Sequence, residues 1–126
     1  MQDRPSAAEL LESIAELLEG PLIEATEGGL RHQVRVAANL SRILQREFEL
    51  GPEQERRSLS LLADALQDAD PVGDVAAGNA ALYRRLKDGD EALEARAWPA
   101  LLEIVRGKLA IAKPGHDEYD FDSELP

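Results

Sequence analysis

The spacing of the leucines restricts this chain more than any other feature. Across residues 6–19, Leu10, Leu11, Ile14, Leu17 and Leu18 recur at three- and four-residue intervals. A helix of about 3.6 residues per turn gathers such positions into one stripe. The rhythm returns over residues 30–50, where Leu30, Val34, Ala37, Ser41, Leu44 and Phe48 form a stripe that Val36, Leu40 and Ile43 widen. Leu59, Leu62 and Leu66 repeat it over residues 52–67, and Trp98, Leu101, Leu102, Val105, Leu109 and Ala112 over residues 91–112. No stretch alternates with period two, and aromatic residues make up only 4%, so no strand is predicted. The expected fold is all-α: an antiparallel bundle of four to five helices joined by short connections.

Local signals set the expected boundaries. Ser6 and Glu9 have the spacing of a capping box, and Gly20-Pro21 predicts a stop. Residues 22–27 could add one turn before Gly28-Gly29. Gly51-Pro52 should end the long central helix and start another, with Pro52 in the first helical position. Residues 68–74 carry three Asp, a Pro and a Gly, and predict a loop. A helix over residues 75–87 follows, in which Gly78 permits a close helix approach. Asp88-Gly89-Asp90 predicts a turn, with Asp90 as N-cap of the last helix. Pro99 predicts a kink or a new start near Trp98. Residues 1–115 are therefore expected to form a single helical bundle domain, and the acidic residues 116–126 a flexible tail.

Composition removes several functions. The chain has no Cys, which excludes disulfides, thiolate metal sites and Cys nucleophiles. Its net charge of -11 is the wrong sign for neutralising nucleic-acid phosphates. No apolar run approaches the roughly 20 residues of a membrane span, and the polar face of the first helix is acidic. The N-terminal segment carries Glu9, Glu12, Glu16 and Glu19 without a basic region, so no signal peptide is predicted and the expected location is cytoplasmic. Nucleophile elbows, phosphate-binding loops, dinucleotide fingerprints and metalloprotease or di-iron motifs are all missing. No cofactor, metal site or catalytic residue is predicted. His32 sits beside a basic stripe and fits a surface imidazole better than a titrating base. His116 opens the tail HDEYDFDSELP, which lacks the ligand spacing of a calcium loop.

The charges are patterned. Glu9, Glu12, Glu16 and Glu19 share one face of the first helix, while Arg31, Arg35, Arg42 and Arg46 fall within about 60° of arc on the second. Two antiparallel helices would lay the acidic edge beside the basic one. A sharper possibility is an anion clamp made by Arg35, Asn39 and Arg46 with Lys108 from the last helix. The abundance of nearby Glu favours the first account.

Three segments have familiar wording: MQDRPSAAELLESIAELL, RVAANLSRILQREFELG and VRGKLAIAKPG. They resemble a bacterial domain family of unknown function. The resemblance implies a small helical protein whose members are encoded near acyl-CoA dehydrogenases and aminoglycoside-phosphotransferase-like kinases, with no assigned catalytic residue. Family-like positions are Asp3, Arg4, Pro5, Glu9, Arg35, Asn39, Arg46, Glu47, Lys108 and Pro114. Ala112-Lys113-Pro114 departs from the A-N-P that members tend to carry. The expected role is a non-enzymatic interaction or accessory protein that associates with itself or with a metabolic enzyme. The alternative is a binder of, or modest enzyme acting on, an anionic acyl or phosphoryl metabolite.

Overall fold

The computed structural model describes residues 3–67 and 72–115. Four α-helices account for most of them: α1 (Ala7–Leu17), α2 (Gly28–Leu66), α3 (Val75–Lys87) and α4 (Glu91–Ala112). Among the described residues there is no strand. The proposed acidic tail lies outside the described residues, as does most of the loop expected at 68–74.

Ser6 caps α1 as expected, its Oγ accepting the Glu9 amide at 3.2 Å. Gly20-Pro21, however, does not stop the helix. The chain passes through a π-helical turn, Leu18–Leu22, and helical residues continue to 24, after which the Thr26 hydroxyl donates to the Leu22 carbonyl at 2.7 Å. Gly28 then takes φ +60°, a conformation that costs glycine little, and α2 begins.

Gly51-Pro52 overturns a second expectation. The two helices predicted for residues 30–50 and 52–67 are one, with Pro52 inside α2. Both corrections share a local feature that eases the passage. Proline excludes the helical conformation from its predecessor largely by striking that residue's amide and Cβ, and in both cases the predecessor is glycine. Without the Cβ one of those contacts disappears, and the helix tolerates the lost hydrogen bond and the ring's crowding of the carbonyl four residues back. Pro99 is also carried inside α4, which does not restart, although its predecessor Trp98 has a Cβ; a missing Cβ is thus not a requirement for a helix to pass a proline.

The chain divides into two compact units, Met1–Gly51 and Pro52–Pro126. In the second, Leu62, Leu66, Leu82, Leu93, Ala97 and Ile104 form a closed core, with Leu61, Val72, Val75, Ala81, Leu86 and Leu101 packed around it. Leu62 and Leu66 were expected there. The buried face of α4 was not: it runs Leu93, Ala97, Ala100, Ile104 and Ile111, while Trp98 and Val105 are exposed. Gly78 does permit close approach, since a Cβ there would stand 2.9 Å from Val72 Cγ1 and 3.0 Å from Leu62 Cδ1. Asp74 and Asp90 cap α3 and α4, accepting the amides of Ala77 (2.7 Å) and Leu93 (3.0 Å).

The end of α2 is closed by arginines that periodicity does not reveal. Gln67 turns to φ 53°, and the last carbonyls of the helix meet guanidinium groups. Arg96 Nε donates to Ala65 O at 3.1 Å, and Arg85 Nη1 to Leu66 O at 2.7 Å. These carbonyls have no partner within their helix, and cationic donors suit its negative end. Arg85 also reaches Asp90 at 3.3 Å. The Asp90 carboxyl is held below its ordinary pKa, first by the Leu93 amide and then by Arg85.

Candidate interaction surface

In the first unit α1 and the opening half of α2 make a hairpin whose seam is lined by small side chains. Ala15 is fully buried, and Ala38 and Ser41 are nearly so. The Ser41 hydroxyl satisfies itself on the Ala37 carbonyl at 3.0 Å. Small residues bring two helices close together and leave the larger ones on the flanks.

One flank is ionic. Arg42 lies across the hairpin from Glu19 and binds it through two bonds of 2.9 Å, one from Nε and one from Nη2. Its third group, Nη1, donates to Gln45 Oε1 at 3.0 Å. The paired hydrogen bonds lower the Glu19 pKa and raise that of Arg42, to which Glu12 and Glu16 add their field. Glu12, Glu16 and Glu19 of the acidic stripe therefore face Arg42 of the basic one.

The opposite flank is apolar and open. Leu10, Ile14 and Leu17 on α1 are 48–53% exposed, and Leu40, Leu44 and Phe48 on α2 are 49–57% exposed. Leu30 and Val36 are exposed as well. Of the expected stripe, Ser41 is buried and Val34 and Ala37 partly so, while Leu30, Leu44 and Phe48 stand exposed. Periodicity finds the apolar arc, which is wider than one neighbouring helix can cover.

The candidate anion-binding residues do not gather into a pocket of one unit. Arg35 and Asn39 are exposed on α2, one turn apart, and Arg46 is half-buried and engaged by a partner. Lys108 is exposed on α4, within the other compact unit. His32 is exposed on α2. Among the described residues no cluster of His, Asp and Glu is arranged to hold a metal ion, and no helix is long and apolar enough to cross a membrane.

The second unit carries shallow grooves on α4. One, of about 490 Å³, is lined by Leu86, Glu91, Glu94, Ala97, Trp98 and Leu101. Another, of about 340 Å³, lies beside Arg96, Pro99 and Glu103. Arg57 spans from α2 to Glu103 at 2.9 Å. Neither groove assembles a nucleophile with a base or a set of converging donors.

Sequence reasoning missed Gln54 and Gly107. The Gln54 amide donates to the Ile104 carbonyl at 3.2 Å and to the buried Ser58 hydroxyl at 3.3 Å. It fills the space in which a Cβ at Gly107 would have to lie. An i, i+4 pair of Gln and Ser facing a helical Gly is the only signal that could have suggested it.

A family described as a domain of unknown function, DUF6285, matches residues 24–116. No curated protein and no solved structure matches the chain. The matched stretch includes Arg35, Asn39, Arg46 and Lys108 and begins after the opening segment that holds Asp3, Arg4, Pro5 and Glu9. With most of its length inside that match, this all-α chain belongs to the DUF6285 family.

Proposed function

We propose that the protein is a helical association module, an accessory subunit that works by binding protein rather than by chemistry of its own. The observation that carries this is the open apolar flank of the first unit. Six large side chains, about half exposed along two helices, form a patch at the upper end of what a monomer surface carries, the size at which such patches are often functional. The neighbourhood that the resemblance implies, near acyl-CoA dehydrogenases and kinases, would make a metabolic enzyme a natural partner.

The test is to place charge on that flank. Leu40→Glu with Leu44→Glu should abolish association measured by light scattering and by capture of a partner from native lysate, while helix content by circular dichroism is kept. Association that survives both substitutions would overturn the proposal.

A second reading, an anion-binding protein, draws on the exposed Arg35 and Asn39 one turn apart. Thermal stabilisation by phosphate or an acyl-CoA, lost in Arg35→Ala, would favour it. The site as it stands is a convex helix face, which does not enclose a ligand.

A further inference from the structure

We propose that the occupant of the apolar flank is a second copy of this chain, two α1–α2 hairpins pairing face to face into a four-helix bundle. This rests on the association reading above and names its partner.

A helical hairpin by itself buries only one seam, and this seam holds little. The buried hydrophobic residues of the first unit, among those described, are Ala15 and Ala38. Among the described residues, the large fully buried side chains, Leu62 and Leu93, both belong to the second unit. Leu11, Leu18 and Val34 are only partly buried beside those alanines, and the most exposed leucines of the unit stand on one flank. Leu10, Ile14 and Leu17 follow i, i+4, i+7 spacing, and Val36, Leu40, Leu44 and Phe48 follow each other every four residues. Helical winding spreads the latter over about 120° of arc. This is the pattern of a helix with two neighbours, one of which is missing from a lone hairpin.

Charge and area select a copy of the same chain. Two molecules of net charge -11 repel, so their contact must lie where charge is sparse. On the apolar flank Glu47 is the one charged residue that winding places among Val36, Leu40 and Leu44. On the far side Glu19 and Arg42 are occupied with each other. A flank with so little charge offers a basic or acidic partner nothing to read, and it matches an identical flank in length and character. Six half-exposed large side chains, with Leu30 and Val36, present on the order of 600 Å². Each partner in a stable interface contributes about 800 Å² including its polar rim.

The full chain should therefore sediment and scatter as a dimer, at twice its 13.8 kDa mass, over about 1–100 µM. Leu40→Glu with Leu44→Glu should weaken the dimer by at least about 100-fold, while Arg35→Glu on the other flank leaves it intact. Because the chain has no Cys, single cysteines report cleanly. Leu40→Cys should cross-link between chains with a short bis-maleimide, and Arg35→Cys should not. The cross-link also serves if the glutamate variant fails to fold. A monomer at about 100 µM, or a dimer cross-linked equally from both positions, overturns the inference. A monomer whose capture of a lysate partner is lost with the two glutamates removes the homodimer and leaves the association reading standing. A monomer that captures nothing removes both.

Discussion

Gly107 gives the sharpest test of the packing in the second unit. In an exposed helix, Gly→Ala stabilises by about 1 kcal/mol, because alanine loses less backbone freedom on folding. Here the added Cβ would fall on the Gln54 side-chain amide, far too close for the small shifts that absorb ordinary tight contacts. Gln54 would have to swing out. It would then give up its bonds to the Ile104 carbonyl and the Ser58 hydroxyl, each worth about 0.5–1.5 kcal/mol net. Gly107→Ala should therefore destabilise by about 1 kcal/mol overall, the lost bonds outweighing the helical gain.

Removing the obstacle should reverse the sign. In a Gln54→Ala background the methyl group meets empty space, and Gly107→Ala should stabilise by about 0.5–1 kcal/mol. The coupling between the two positions is then about 1–3 kcal/mol, well beyond what independent sites show. Urea denaturation of the four proteins, followed by circular dichroism at constant m-value, measures it. A Gly107→Ala single variant that is more stable than the parent, or a coupling below about 0.3 kcal/mol, would refute the contact.

Four further outcomes follow from the same geometry. Arg96→Ala should cost about 1–2 kcal/mol by thermal unfolding, because it strips the charged donor from the Ala65 carbonyl at the end of α2. Gly78→Ala should also destabilise, by about 1–2 kcal/mol, because Val72 and Leu62 leave no room for a methyl and the buried core cannot swing aside as Gln54 can. Acid should weaken the fold in a defined window: Glu19 and Asp90 titrate below their ordinary values when folded, so the stability they contribute is present above about pH 4 and lost as pH falls through their lowered values. Asp90→Asn, compared by acid titration, should flatten that loss. Arg35→Ala should change the melting temperature little, since an exposed side chain off the hairpin seam carries almost no stability; a large drop would mean that it anchors structure.

The class of fold is legible in the sequence because leucine spacing is redundant: any one of the stripes would already demand a helix. Caps are legible too, since Ser6 and Asp90 act through their own side chains on amides three residues away. What fails is whatever depends on a second element. Gly-Pro at 20–21 and 51–52 obeys a local rule for helix ends, yet the helix passes both, as it passes Trp98-Pro99. Whether such a helix stops or continues is decided by packing further along the chain. The phase of burial fails for a related reason. Leu44 and Phe48 are as apolar as Leu62 and Leu66, and no property of the side chains says which arc meets a neighbour. That depends on the seam, and Ala15, Ala38 and Ser41 win it in the hairpin by letting the helices come close. The candidate site divides along the same line. The Glu and Arg stripes are found because like charges at helical spacing need only one helix to be seen, but Arg85 and Arg96 at the end of α2 act across 19 and 31 residues of sequence. The open flank is the case where the two kinds of information collide. The sequence marks its leucines as core, and the hairpin leaves them half exposed. A surface that is core by composition and exposed in one chain is the expected signature of a core completed by association.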